Sequence, residues 1–272
     1  MKALFSSSSL FDPTPFPLDS QEGERARATA GRAVRRATMA GQIPQEKLQQ
    51  LEEDVLALGA LVEGQLIEAA DLLHDSDLEA LERLGEGGRQ VHRKRLAIEM
   101  GCLSLIASRR PLDGELRPLV AMVEIAAELE RLADHAQRVA RANYLTADPQ
   151  LRKPLVNLHH LAAEVQSLLD GALAAFARRD GGAARAVAVQ VQETDSLYLQ
   201  VRHDLLAVMK SKPRIANQAI FLSRSAYNLR RAAERVSGIC EWVVFTVEGS
   251  LDADAPTTQA PLQPVEETFV TL

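Results

Sequence analysis

Cysteines, aromatic residues and long apolar runs are scarce in this sequence. Its two cysteines, Cys102 and Cys240, are far apart and form no CxxC pair, so no disulfide framework is indicated and a reducing cytoplasmic setting is expected. The 272 residues include only 7 Phe, 3 Tyr and 1 Trp, which favours helices over sheets. No stretch reaches the roughly 18 apolar residues of a membrane span, so we expect a soluble protein without membrane insertion.

An excess of positive charge is absent as well. The chain has 31 basic and 37 acidic residues and a formal charge of −6, so no global cationic field exists to hold nucleic acid or anionic lipid. Apolar residues make up 46% and charged residues 25%, as in ordinary globular proteins. A chain of this length forms one large or two small domains.

The two ends of the chain differ from the rest in composition. Residues 1–44 combine a serine run with prolines and an arginine-rich patch, and residues 251–272 contain prolines, threonines and acids. Neither segment has a periodic apolar face. We therefore expect both to be disordered tails.

Between the tails, apolar residues recur at steps of three and four, which is the spacing of amphipathic helices. Gly85, Gly87 and Gly88 are expected to make the second helix locally irregular. The predicted helices cover about residues 44–74, 78–108, 113–144, 155–179, 182–209 and 214–249.

The last three predicted helices repeat the first three. Leu66 corresponds to Leu169, 103 positions later, and LERLADHA, from Leu129, corresponds to LRRAAERV, 100 positions later. This internal duplication predicts an all-α fold of two tandem antiparallel three-helix bundles, because short breaks leave consecutive long helices side by side. We place the bundles at residues 45–148 and 149–250.

Glu130 and Asp134 are the most suggestive residues for chemistry. Their i,i+4 spacing places two carboxylates on one helical face, where they repel each other unless a cation lies beside them. One interpretation is a carboxylate metal site for a hard cation or iron. The spacing favours the other, a ladder of ion pairs, since Arg138 follows Asp134 by four positions and Arg131 follows Glu128 by three.

The remaining residues give little indication of catalysis. At the duplicated positions the acidic pair reads Arg230 and Glu234, an i,i+4 ion pair with its own counter-charge. The histidines lack the spacing of zinc ligands, and no phosphate-binding loop, nucleophile elbow or kinase motif occurs. We therefore expect a protein that is not an enzyme.

Residues 105–140 and 225–245 resemble a known family. ELERLADHA, from Glu128 to Ala136, is close to the hallmark motif of the PhoU family of phosphate-uptake regulators, with Leu132 and Ala133 as departures. SAYNLRRAAERVSGICEWVVF repeats the pattern in the second half. With the doubled three-helix order, the resemblance covers about residues 45–250.

The resemblance implies a cytoplasmic accessory protein, commonly a homodimer, that couples the ATPase subunit of a phosphate ABC transporter to the sensor histidine kinase of the phosphate regulon. Such a protein is a negative regulator, which keeps the starvation response off when phosphate is plentiful. It would read the conformation of the ATPase and pass that state to the kinase by differential binding. Glu130, Asp134 and Glu234 are the expected partner-binding residues, and no nucleic acid is expected to bind.

Members of the PhoU family hold iron or other metals through a Glu-x-x-x-Asp motif on the third helix of each bundle, with further acids on the second helix. Here only Glu130 and Asp134 keep that motif. The positions aligned with the second-helix acids are Gly88, His92 and Arg95 in the first half and Val191, Asp195 and Leu199 in the second. Hard ions take about six oxygen ligands, and the guanidinium of Arg230 can replace a lost cation. We therefore expect no cofactor, with at most residual divalent or iron binding.

Two other classes of protein stay open at this point. Paired acids in a helical bundle also occur in carboxylate-bridged metalloproteins with an activity of their own. Duplicated helices also occur in scaffolds that only extend a binding surface. A stoichiometric metal ion in the purified protein would favour the first class, and failure to recover phosphate-transporter subunits as partners would favour the second.

Overall fold

The computed structural model describes residues 43–72, 77–109, 111, 113–146 and 152–250, and these residues contain no strand. The predicted tails lie outside these ranges except for residues 43 and 44, and so does the predicted boundary between the halves at 148/149. The helices in the described ranges are α1 (Gln45–Asp71), α2 (Leu78–Arg109), α3 (Asp113–Tyr144), α4 (Arg152–Arg178), α5 (Gly181–Val191), α6 (Thr194–Ser211), a 3₁₀ helix (Pro213–Ile215) and α7 (Ala216–Glu248).

The first half is a three-helix bundle whose bounds agree with the prediction to within a few residues. The apolar stripe of α1 is buried, including Val55, Leu58 and Val62. Asp77 caps α2, because its Oδ1 accepts a hydrogen bond of 2.9 Å from the backbone N–H of Glu79. Helices α1, α2 and α3 all pack against one another.

Ordered structure begins earlier than expected. Ile43 was assigned to the disordered tail, but its side chain is buried and its N–H donates to Glu115 Oε1 on α3 at 3.3 Å. The assignment was wrong at this residue because a single apolar side chain ahead of a helix has no periodicity that reveals its burial.

Helix α2 is continuous, so the irregularity expected at Gly85–Gly88 is not present. Two of these glycines instead allow close packing. A Cβ at Gly87 would lie 2.6 Å from the side-chain nitrogen of Gln65 on α1, and one at Gly88 would overlap the side-chain nitrogen of Gln137 on α3. The lower helix propensity of glycine is offset by the space it leaves for these amides.

The second half repeats the first, but its second helix is in two pieces. Helix α5 ends at Val191 and α6 begins at Thr194. Between them the N–H of Gln192 bonds to Val189 O and that of Glu193 to Gln190 O, which is the tighter 3₁₀ pattern. The hydroxyl of Thr194 donates to Val191 O at 2.6 Å and stabilises this tightened turn. One continuous helix was predicted here because apolar spacing continues through the turn.

The third helices of the two halves, α3 and α7, form the most extensive helix pair of the described structure and run antiparallel. Glu128 Oε2 contacts Arg235 Nη1 at 3.3 Å, and His135 Nδ1 contacts Asn228 Oδ1 at 3.0 Å. Position 128 is equivalent to 228 and position 135 to 235, each 100 positions later, so the two contacts join equivalent pairs of positions. The halves are therefore related by an approximate two-fold axis that passes between α3 and α7.

The first helices, α1 and α4, also meet across this axis. Gln166 Nε2 donates to Glu63 Oε1 at 3.2 Å, and these two residues are equivalent because they lie 103 positions apart. The buried apolar residues of both halves form one continuous cluster. The two bundles therefore share a core. In the described residues, no helix has both the length and the hydropathy needed to cross a membrane.

Candidate functional site

Glu130, on α3, is the centre of an ion-pair network in the first half. Its Oε1 lies 2.6 Å from His92 Nδ1, and its Oε2 lies 2.5 Å from Arg95 Nε. Arg95 also reaches Glu99, with its Nη1 2.6 Å from Glu99 Oε2. Both oxygens of Glu130 are therefore engaged by basic side chains of α2, which lie three positions apart on that helix.

Asp134 does not join this network. Its side chain is exposed and lines a groove between α3 and α7. The predicted ladder of ion pairs forms only in part: Glu128 pairs with Arg131, whereas no ion pair within 4.0 Å joins Asp134 to Arg138 in the described residues. The two acids of the Glu-x-x-x-Asp motif thus face different surroundings.

In the second half the corresponding network is centred on a guanidinium. Arg230 Nε lies 2.6 Å from Asp195 Oδ1, and Arg230 Nη1 lies 3.6 Å from Glu234 Oε1. Arg231 pairs with the other oxygen of Glu234, and Tyr198 lies with its ring centre 5.6 Å from the Arg230 guanidinium carbon. The predicted ion pair of Arg230 with Glu234 is confirmed, although its distance is longer than that to Asp195.

Burial and hydrogen bonding shift the pKa values in this second network. The hydrogen bond to Asp195 raises the pKa of Arg230 further, against the opposing effect of burial. Burial raises the pKa of Glu234, whose side chain is only 5% exposed, while Arg231 and Arg230 act in the opposite direction. The guanidinium groups therefore compensate a carboxylate that has lost most of its water.

The two networks are related by an exchange of charge. His92 and Glu130 of the first half occupy the positions of Asp195 and Arg230 in the second, so the base and the acid have changed helices. The position three residues after His92 holds Arg95, and the one three residues after Asp195 holds Tyr198. The sequence alignment had matched Leu199 with Arg95. The structure shows instead that Tyr198 is equivalent to Arg95 and contacts Arg230.

The residues do not fit the multinuclear metal centre that the PhoU resemblance implies. Both oxygens of Glu130 already contact cationic or hydrogen-bonding groups, and a guanidinium lies where the second motif would have its first acid. In the described ranges, no group of three or more His, Cys, Asp or Glu side chains is arranged to hold a metal ion. Whether a single ion binds at Glu130 and Asp134 stays a prediction.

The two cysteines, Cys102 on α2 and Cys240 on α7, are both buried. Burial raises the pKa of the Cys102 thiol to about 11, and burial with the nearby Glu241 charge raises that of Cys240 to about 12. Both are free thiols, and at neutral pH little reactive thiolate is present at either.

A cationic groove of about 370 Å³ lies between α3 and α7, and the sequence alone did not predict it. Four arginines line it: Arg131 and Arg138 from α3, and Arg231 and Arg235 from α7. The available signal was the match of Arg131 with Arg231 at the 100-residue offset. The match alone does not predict a groove, because it does not show that α3 and α7 pack on each other.

Comparison with known proteins accounts for this doubled arrangement. Residues 55–142 and 158–243 each match the PhoU domain, so the matches cover both halves and more than half of the chain. The chain belongs to the PhoU domain family. The predicted family and the predicted fold of two tandem three-helix bundles are both confirmed.

Individual PhoU proteins are similar over most of their length. The chain is 29% identical over 203 residues to the phosphate-specific transport system accessory protein PhoU of Edwardsiella tarda, which covers 75% of this chain and 84% of that protein. The crystal structure of PhoU from Pseudomonas aeruginosa has a TM-score of 0.69 and 27% identity, and the match covers 76% of this chain and 99% of the other. The PhoU structure from Streptococcus pneumoniae has a TM-score of 0.71 and 26% identity, with 76% and 98% covered.

Proposed function

We propose that this PhoU-family protein is a cytoplasmic negative regulator of phosphate uptake and of the phosphate-starvation response. It acts by protein–protein binding, as a homodimer. It couples the ATPase subunit of a phosphate ABC transporter to a sensor histidine kinase, and each partner shifts its affinity for the other.

The observation that carries this proposal is the presence of one PhoU domain in each half of the chain. The similar proteins of Edwardsiella tarda and Streptococcus pneumoniae are matched over 84% and 95% of their length and are named for an accessory role in phosphate-specific transport. One of the similar structures is named a phosphate transport system regulatory protein. A role in phosphate transport is what these names share, and the last of them adds regulation.

Site chemistry supports binding rather than catalysis. Three of the four groups at the motif positions are held by neighbouring charges: Glu130 by His92 and Arg95, Arg230 by Asp195, and Glu234 by Arg230 and Arg231. Groups held in this way are poorly placed to exchange protons with a substrate. We propose that the protein carries no cofactor.

Elemental analysis of protein purified without chelators tests this last point. We expect well below one divalent or iron ion per chain, because both oxygens of Glu130 already face basic side chains, which disfavour a second cation there. A stoichiometric ion that is lost in the variant Asp134→Asn would instead support a carboxylate-bridged metalloprotein.

The three acids expected to bind partners differ in how far a partner can reach them. Asp134 is exposed, the Glu130 side chain is 26% exposed, and Glu234 lies beneath Arg230 and Arg231. Their partner-binding role stays a prediction. Asp134 is the residue at which a partner makes direct contact most readily, whereas Glu234 acts by fixing the two arginines above it.

Exposed apolar residues provide two further surfaces, in equivalent positions. Leu96 and Leu103 on α2 are 39% and 48% exposed, and Leu199 and Leu206 on α6 are 55% and 44% exposed. Each pair is separated from the other by 103 positions. Two similar apolar faces on one protein are a suitable arrangement for coupling two partners.

Deletion of the gene tests the proposal directly. At high external phosphate the deletion strain is expected to take up phosphate without restraint and to transcribe phosphate-starvation genes, because the negative signal is lost. Uptake of radioactive phosphate and a transcriptional reporter measure these two effects. Unchanged uptake and transcription would support a helical scaffold unrelated to phosphate.

Complementation of the deletion strain with variants tests whether Asp134 binds a partner or whether any reversed surface charge has the same effect. Asp134→Lys is expected to restore regulation poorly, since it reverses an exposed charge at the predicted contact. Asp170→Lys makes the same change at an exposed position of α4 and should restore regulation fully. Equal restoration by both variants would remove Asp134 from the partner-binding surface.

A further inference from the structure

The groove between α3 and α7 brings together like charges from both halves of the protein. Arg131 and Arg138 approach from α3, and Arg231 and Arg235 approach from α7, whereas Asp134 is the one carboxylate among the lining residues. Arg131 and Arg231 are equivalent, 100 positions apart, so the groove lies across the approximate two-fold axis. Convergence of like charges is unfavourable unless an anion compensates it.

Acids of the protein compensate these arginines only in part. Glu128 is shared between Arg131 and Arg235, and Glu234 is shared between Arg231 and Arg230. Glu128 and Glu234 therefore pair with three of the four groove arginines, Glu241 adds a negative charge near Arg235, and Arg138 is left without an ion pair within 4.0 Å in the described structure.

The pKa of His135 reflects the positive charge around the groove. Burial lowers the pKa of His135, and the charges of Arg138, Arg235 and Arg231 lower it further, against the hydrogen bond to Asn228. An anion in the groove would balance the positive charge of these arginines.

We propose that this groove is a binding site for an inorganic phosphate oxyanion, either orthophosphate or a condensed form such as pyrophosphate. Guanidinium forks match the oxygens of a phosphoryl group and bind them in pairs. Tyr227 and Asn228, which also line the groove, add a hydroxyl and an amide. Binding here goes beyond the proposed coupling role, because it would let the protein respond to phosphate itself.

The carboxylate of Asp134 favours phosphate over other tetrahedral anions. Near neutral pH, orthophosphate and pyrophosphate keep a P–O–H group, which can donate a hydrogen bond to that carboxylate. Sulfate has no proton to donate, and Asp134 would only repel it. The volume of about 370 Å³ is at the lower end of the range of small-molecule sites and leaves room for more than one phosphoryl group.

Isothermal titration calorimetry of the full chain tests the site, in buffer free of phosphate and sulfate. We expect saturable binding of orthophosphate, or tighter binding of pyrophosphate, and sulfate binding at least about tenfold weaker. Tighter pyrophosphate binding would assign the condensed form, and equal affinities would assign a single phosphoryl group. No saturable heat with either phosphate anion, or equal affinity for sulfate, would overturn the proposal.

Variants identify the groove as the location. Arg138→Gln should weaken phosphate binding about tenfold, since one charge-assisted contact is lost. This change breaks no ion pair seen in the described structure, so folding should be retained, and helical circular dichroism checks that it is. Arg178→Gln, an exposed arginine at the end of α4, is the matched control for net charge and should bind as the unchanged protein does.

Three further results test the role of Asp134 and the identity of the ligand. Asp134→Asn should reduce the preference for phosphate over sulfate. Equal weakening by Arg138→Gln and Arg178→Gln would show that only net charge matters, which contradicts the site. Binding of an acidic peptide but of neither phosphate anion would show that the groove recognises a protein segment instead.

Discussion

His135 is held in its neutral form by its surroundings. Burial and the charges of Arg138, Arg235 and Arg231 lower its pKa below 6.5, and the hydrogen bond to Asn228 opposes this only in part. In the unfolded chain the ring takes up a proton near pH 6.5, whereas in the folded protein it does so at lower pH. The unfolded state thus binds more protons below pH 6.5, and stability falls as the pH falls.

The pH dependence of unfolding measures this effect. Urea unfolding of the unchanged protein between pH 8 and pH 5.5 should show a steeper loss of free energy than the same series for His135→Gln. The difference is at most about 1.4 kcal/mol per pH unit below 6.5, because one proton is involved. Identical pH series for the two proteins would mean that His135 is readily protonated in the fold.

Arg230 is expected to be the costliest charged residue to remove. Its side chain is 11% exposed, and without it Asp195 loses its partner and the buried Glu234 keeps only Arg231. We expect Arg230→Met to lower the free energy of unfolding by about 2 kcal/mol, somewhat below the cost of a fully unpaired buried charge.

A matched change at an exposed pair provides the control. Arg89 pairs with Glu86 on the surface of α2, with its side chain 69% exposed, and Arg89→Met should cost less than about 0.5 kcal/mol. Adding Glu234→Gln to Arg230→Met should recover part of the lost stability. Equal costs for the two methionine variants would show that the Arg230 network contributes no more than a surface pair.

At the scale of single residues, the sequence predicts contacts within a helix better than contacts between helices. The i,i+3 pair of Glu128 with Arg131 was predictable because both residues lie on α3. The engagement of Glu130 by His92 and Arg95 was not, since spacing along one chain segment does not say which face of α2 meets α3. The charge exchange between the halves became visible only when both helices were in place.

The effect of replacing a helical glycine by alanine depends on which atoms lie next to the glycine. A Cβ at Gly85 of α2 would meet nothing within 4 Å, whereas a Cβ at Gly59 of α1 would lie 2.5 Å from Leu173 Cδ1 of α4. Gly85→Ala should therefore stabilise the protein by about 0.5–1 kcal/mol through helix propensity. Gly59→Ala should destabilise it by about 1–3 kcal/mol, because the buried Leu173 side chain, whose Cδ1, Cδ2 and Cγ all lie within 3.2 Å of the added Cβ, must leave its present position.

Chemical denaturation of the two variants against the unchanged protein tests both signs. The two substitutions are chemically identical, so differences in the unfolded chain largely cancel. Stabilisation by Gly59→Ala would mean that Leu173 changes rotamer without cost and that the α1–α4 contact tolerates the added methyl group.

At the scale of helices, periodic apolar spacing predicted the long elements well and their interruptions poorly. Helices α1, α2 and α3 follow the predicted ranges closely, because each presents an unbroken apolar stripe to the core. The turn between α5 and α6 was not predicted because it is made by tightened backbone hydrogen bonds and a threonine hydroxyl, which leave the apolar spacing unchanged. The glycines of α2 misled in the opposite direction: the helix continues through all three, and Gly87 and Gly88 leave room for the side chains of Gln65 and Gln137.

For the whole molecule, the duplication was readable from the sequence but the way the halves join was not. Equivalent residues at offsets of 103 and 100 reveal two copies of one pattern. They do not reveal that the third helices of the two copies pack on each other, because a repeat carries no information on how its copies dock. That packing creates both the shared core and the arginine groove, and neither could be predicted from the sequence.

A shared core predicts that the two halves unfold together. Buried residues of α1, α3, α4 and α7 belong to one cluster, so losing one half would expose the apolar surface of the other. Trp242, the single tryptophan, lies on α7 and reports on the second half, whereas helical circular dichroism reports on both. The two signals should follow one urea transition with the same midpoint.

The variant Gly59→Ala provides a stricter test of whether the two halves unfold together. Its site of strain lies between α1 of the first half and α4 of the second, far along the chain from Trp242. In a single cooperative unit it should move the fluorescence and circular dichroism midpoints to lower urea by the same amount. Separate midpoints, or a shift confined to the circular dichroism signal, would mean that each PhoU domain is stable by itself and that the contact between the halves contributes little to folding.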